Sequence, residues 1–72
     1  MDVTWVNVQY DIDNEKMYDG ISDNTIERIS IGSETIKIYY NQESVRNETY
    51  VKIILISNIA GYEYPIVRGR GI

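Results

Sequence analysis

Five carboxylates crowd one short stretch of the chain: Asp11, Asp13, Glu15, Asp19 and Asp23. Clustered acids supply the oxygen ligands that calcium favours. An EF-hand loop starting at Asp11 would need glycine at its sixth position, for the sharp turn, and a bidentate glutamate at its twelfth. Lys16 and Ser22 stand there instead. The stretch therefore reads as a solvated acidic loop, and no metal or other cofactor is assigned to it. On an extended strand, Asp11 and Asp13 would lie about 6–7 Å apart on one face. That is close to the phosphate spacing of a nucleic-acid strand, so the two carboxylates are candidates for contact with a basic partner surface.

Aromatic residues form the second candidate set. Trp5, Tyr39, Tyr62 and Tyr64 carry the side-chain types that dominate protein-binding hot spots. The same rings, at a half-buried strand, also serve packing with the polar tip in water. The third set is Arg68-Gly69-Arg70-Gly71. Glycine beside arginine lets a phosphate approach closely, and the guanidinium presents a fork of donors to it. Arg68 and Arg70 are thus the candidate residues for an alternative function, the binding of a nucleotide in a pocket between subunits.

Catalysis has little to work with. The chain has neither cysteine nor histidine, which removes thiol nucleophiles, disulfides, the usual zinc ligand sets and the commonest proton carrier near neutral pH. No nucleophile elbow, phosphate-cradling glycine loop or dinucleotide fingerprint occurs. A non-catalytic protein is expected.

Seventy-two residues make a single domain. The chain is 43% hydrophobic and 25% charged, a globular composition. A domain of this size buries too little surface for comfort without disulfide or metal, which favours a homo-oligomer or a chain that sits on a partner. The net charge is −4, so general binding to nucleic acid is disfavoured. Eight of the eleven acids lie within residues 1–36 and five of the seven bases beyond them. No apolar run approaches the length of a membrane span, and the N-terminus lacks the pattern of a secretory signal; a cytoplasmic location in a bacterial host is expected. The abundance of isoleucine, tyrosine and asparagine is what AT-rich codons supply.

The elements that must position these residues read as strands. Residues 3–12 alternate, with Thr4, Val6, Val8, Tyr10 and Ile12 on one face and Trp5 on the other. Residues 13–24 read as a polar connection with one short helical turn around Asn14–Tyr18. Residues 25–31 and 34–41 read as a hairpin about Gly32-Ser33, a glycine-first two-residue turn. That turn pairs Ile29 with Ile36, Ile26 with Tyr39 and Ser30 with Thr35, and it sets Arg28 unfavourably against Lys37. Residues 42–48 are a polar connection. Residues 49–57 are apolar on both faces through Ile53, Ile54, Leu55 and Ile56, which predicts a central strand or one covered on both sides. Residues 62–67 read as a strand that must be an edge or be bulged at Pro65, which has no N–H to donate. The expected fold is all-β: a small antiparallel five-stranded barrel or curled sheet over residues 1–67, with residues 68–72 as a short basic tail.

From this the expected function is binding. An acidic and aromatic surface of Trp5, Tyr39, Tyr62, Tyr64, Asp11 and Asp13 would dock on a host protein with a basic surface, as an accessory protein of a phage or mobile element that inhibits its target. The alternatives are the nucleotide-binding oligomer and a structural subunit that assembles through the edge strand at Pro65.

Overall fold

Alternating β-branched residues produce the expected all-β fold. The computed structural model describes residues 1–41 and 49–66. They form β1 (Asp2–Val3), β2 (Trp5–Asp11), β3 (Asn14–Asp19), β4 (Ile26–Ile31), β5 (Thr35–Asn41), β6 (Thr49–Leu55), a 3₁₀ turn at Ile56–Asn58, and β7 (Gly61–Glu63). A four-stranded sheet runs β1-β4-β5-β6 and a three-stranded sheet runs β3-β2-β7, every pairing antiparallel. Among the described residues no helix is long and apolar enough to cross a membrane.

Strands exceed the expected five for two reasons. The first expected strand bends at Thr4, so that Asp2–Val3 pairs with β4 while Trp5–Asp11 pairs with β3 and β7. One run of chain therefore passes from one sheet to the other, the usual way of turning a corner between sheets. The second reason is β3. The helical turn expected around Asn14–Tyr18 is not formed, and those residues lie in a strand. Asn, Glu, Lys and Asp are poor strand formers; the ladder to β2, from Trp5↔Asp19 to Gln9↔Glu15, overrides that preference.

The hairpin of β4 and β5 forms as expected in kind but not in register. Ile29 pairs with Ile38 and Ile31 with Ile36, and the Gly32 N–H donates to the Thr35 carbonyl at 2.8 Å. The turn is thus centred on Ser33 and Glu34. A shift of two residues on β5 keeps every side chain on its own face, and both Ile36 and Ile38 point inwards, so the apolar pattern could not distinguish the registers. Charge does distinguish them. Arg28 escapes Lys37 and lies opposite Tyr39, its guanidinium 4.3 Å from the ring centroid. A bulge between Ile26 and Arg28 adds one residue to β4, so Ile26 and Ile29 are both buried despite their odd spacing.

The core lies between the sheets. Val6, Val8 and Tyr18 from the three-stranded sheet meet Ile26, Ile29, Ile31, Ile36, Ile38 and Ile54 from the other in one cluster. The expectation for residues 49–57 is overturned here. Among the described residues β6 pairs with β5 alone and is an edge strand. Its Ile54 is buried, while Ile53 is 58% and Leu55 48% exposed. Apolar side chains on both faces did not mean cover on both faces. The last strand is an edge, one of the two expected forms, and it ends at Glu63, before Pro65.

Gly20 seals the corner. Its N–H donates to the Thr4 carbonyl at 2.8 Å, and a Cβ on Gly20 would sit 3.1 Å from that oxygen. Gly61 has open space around it. Gly20→Ala should therefore lower stability by about 1–2 kcal/mol, while Gly61→Ala should change it by less than about 0.5 kcal/mol. Equal denaturation midpoints for the two variants would show that the corner is not tightly closed.

Candidate functional site

The register of the three-stranded sheet builds its outer face residue by residue. Val6 and Val8 of β2 turn inwards, so Trp5, Asn7 and Gln9 turn outwards. Directly opposite residues share a face. Asp19, Met17 and Glu15 of β3 thus stand beside Trp5, Asn7 and Gln9, and Glu63 of β7 stands on the other side of Asn7. The charged residues that the register puts on this face, Glu15, Asp19 and Glu63, are all acidic. On it lie Trp5, half-buried at the start of β2, and Met17 of β3, 51% exposed. The Asn7 side-chain amide donates to a Glu15 carboxylate oxygen at 3.4 Å, which holds that acid against the sheet.

Asp11 ends β2 and Asp13 lies in the turn that joins β2 to β3. The Asp11 carboxylate accepts the Asp13 N–H at 2.9 Å and the Asn14 side-chain amide at 2.8 Å. These bonds, the Asn14 amide foremost, hold the Asp11 carboxyl below the usual carboxylate range. Asp11 is thus a turn-forming residue, while Asp13 is exposed at the tip. Asp19 and Asp23 repeat the arrangement. Asp19 accepts the Ile21 N–H at 2.9 Å, and Asp23 accepts the Thr25 N–H at 2.9 Å together with the Thr25 hydroxyl. Hydrogen bonds also lower both of these acids, led by the Ile21 N–H for Asp19 and the Thr25 hydroxyl for Asp23. Among the described residues no three acids converge as metal ligands would. Asp11, Asp19 and Asp23 have the spacing of successive aspartate turns.

The four candidate rings do not share a surface. Trp5 lies on the outer face of the three-stranded sheet. Tyr39 lies on the outer face of the four-stranded sheet, under Arg28. Tyr62 and Tyr64 stack on each other at 5.9 Å and pack against the core. Tyr64 and Pro65 also wall a groove of about 440 Å³ against Val3 and Thr4. Arg68 and Arg70 lie outside the described residues.

One cluster escaped the sequence. Tyr10 and Tyr18 share a hydroxyl–hydroxyl bond of 2.9 Å, and Tyr40 stacks on Tyr50 at 5.2 Å. The Lys16 and Lys52 ammonium groups lie 5.4 and 5.5 Å from the Tyr18 ring centroid. Burial, first of all, pushes the Tyr10 and Tyr40 phenols up from the ordinary value, so both keep their protons at neutral pH. The cluster offers hydrogen bonds and cation–π contact, not proton transfer. Alternation of Lys16 and Tyr18 was the available signal, and the assignment of residues 13–24 to a connection concealed it.

The three lowered aspartates set a direction for acid sensitivity. A depressed folded pKa contributes stability above the unfolded value of about 3.9, and that contribution is lost as pH falls through the folded value. The melting temperature should hold between about pH 7 and 5 and fall below about pH 4. The combined variant Asp11→Ala, Asp19→Ala, Asp23→Ala should melt lower at neutral pH and lose less on acidification. Thermal melts across that range check it; an unchanged acid-induced drop in the variant would remove the turns as its cause.

No protein-family model, curated protein or solved structure matches this chain, and the functional conclusion rests on the chemistry of its own sheet faces.

Proposed function

We propose that this protein is a non-catalytic binding domain that docks a protein with a basic surface through the outer face of its three-stranded sheet. The observation that carries this is the composition of that face: an aromatic and an apolar anchor, Trp5 and Met17, amid Glu15, Asp19 and Glu63. Acidic rim charges steer a basic partner into place and reject phosphate-bearing ones. Large, partly exposed anchors supply the affinity once water is excluded. Strands position all of these residues, so little order needs to be gained on binding. Asp11 contributes by fixing the hairpin turn, and Asp13 extends the acidic edge at the turn's tip. The finer identity of the partner, a host protein blocked by a phage or mobile-element accessory protein, draws only on the AT-rich composition and the acidic charge.

Capture from a bacterial lysate tests the face by comparison of variants. Trp5→Ala should weaken capture about thirtyfold or more, corresponding to about 2 kcal/mol at an aromatic anchor. Glu15→Lys with Glu63→Lys should do the same and reduce the salt dependence. Tyr39→Ala, on the opposite face of the molecule, should leave capture intact. If Tyr39→Ala abolishes capture and Trp5→Ala does not, the docking face is wrongly placed. If Trp5→Ala unfolds the domain, Trp5 is a packing residue and the charge reversal decides alone.

A further inference from the structure

Among the described residues each sheet ends in two edges, and the four edges differ. β1 is two residues long and β7 three. β3 is longer but carries Glu15, Lys16 and Asp19. β6 is seven residues long, and Val51, Ile53 and Leu55, which alternate along it opposite in parity to the buried Ile54, are apolar. Long apolar edges are what proteins otherwise avoid, because the unpaired main chain templates another strand.

Backbone parity shows which groups face that edge. The Ile56 N–H donates to the Glu34 carbonyl at 2.9 Å. That bond lies on the same ladder as Ile36↔Ile54, Ile38↔Lys52 and Tyr40↔Tyr50. Hydrogen-bonded pairs recur at every second residue, so the even-numbered residues of β6 bond to β5. The odd-numbered residues Val51, Ile53 and Leu55 aim their N–H and C=O groups away from β5, and the same residues carry the apolar side chains.

We infer that β6 pairs antiparallel with β6 of a second copy of this chain, about a two-fold axis at Ile53, joining the two four-stranded sheets into one. A two-fold axis normal to the sheet keeps each side chain on its face, so a residue must face its own copy or one an even number away. With Ile53 on the axis, Val51 faces Leu55 of the second copy and the outward row matches itself. About six main-chain hydrogen bonds then form from the odd-numbered residues. Lys52 selects this register. Centring one residue earlier would set Lys52 against its own copy, which like-charge repulsion disfavours. In the Ile53 register Lys52 faces Ile54 instead. Centring one residue later would push Val51 against Ser57, beyond the strand. The interface leaves the outer face of the three-stranded sheet free in both copies, so it goes beyond the docking function and does not depend on it. It is small against a standard interface of roughly 800 Å² per partner, which points to a dissociation constant on the order of micromolar.

Sedimentation of the full chain from roughly 1 to 500 µM, bracketing that affinity, should show a concentration-dependent shift from the 8.4 kDa protomer to twice that mass. Ile53→Lys should raise the dissociation constant at least tenfold, with the circular dichroism spectrum unchanged because this side chain is largely exposed. The chain has no native cysteine, so Ile53→Cys can be oxidised cleanly. A hydrogen-bonded pair sets its Cα atoms about 5.5 Å apart, within disulfide range, and a covalent dimer should form at Ile53→Cys far faster than at Lys52→Cys. A protomer at every concentration overturns the inference. So does a dimer that Ile53→Lys leaves intact, or faster cross-linking at Lys52→Cys. If Ile53→Lys unfolds, the cysteine pair decides.

Discussion

The contact between the Thr4 carbonyl and the Gly20 amide is the constraint on which the two-sheet arrangement depends. The chain leaves the four-stranded sheet after Val3 and enters the three-stranded sheet at Trp5. A bend there takes the Thr4 carbonyl out of the strand ladders and leaves it in need of another hydrogen-bond partner. Gly20 supplies it at 2.8 Å. The approach is too close for a side chain to pass without displacement, which is why glycine stands at that point. With the corner closed, the inner faces of the two sheets oppose each other and the isoleucine-rich core forms.

Strand alternation then decides the rest of the surface. Residues of one parity fill the core, and those of the other are shown to solvent. The outward residues of β2, β3 and β7 are acidic and polar around Trp5 and Met17. Those of the four-stranded sheet include Arg28, Lys37 and Tyr39. Asp2 approaches Arg28 at 3.9 Å, but both are well exposed, and such a pair adds little stability. The two outer faces thus differ in charge.

A core of valine and isoleucine is small, and a domain of this size has little interior to spare. Tyr18 lies within it, Tyr10 and Tyr40 pack against it, and Tyr50, largely exposed, stacks on Tyr40. Lys16 and Lys52 place their ammonium groups over the Tyr18 ring. These lysines belong to strands of different sheets, so the contact couples the sheets away from the Thr4 corner. Carboxylates at Asp11, Asp19 and Asp23 tie the connecting turns and leave the strands free to pair.

Much of the β architecture was legible in the residues alone. Period-two alternation located β2, β4 and β5, and the missing N–H of Pro65 marked the last strand as an edge or a bulged one. Absence of cysteine and histidine confined the chemistry to carboxylates, phenols and cations. Trp5 and the acids were legible as residue types suited to docking. Their common face was not, because β3 has the composition of a loop and becomes a strand only through its ladder to β2. Nor was the hairpin register, since Ile36 and Ile38 fill the same face equally well and the Arg28–Tyr39 contact breaks the tie. Apolar residues on both sides of β6 signalled cover that, among the described residues, the tertiary structure does not supply. The physical reason is common to all three. Local sequence sets which residues alternate, through backbone geometry and hydrophobicity, whereas pairing partner, register and edge position come from contacts between segments distant along the chain.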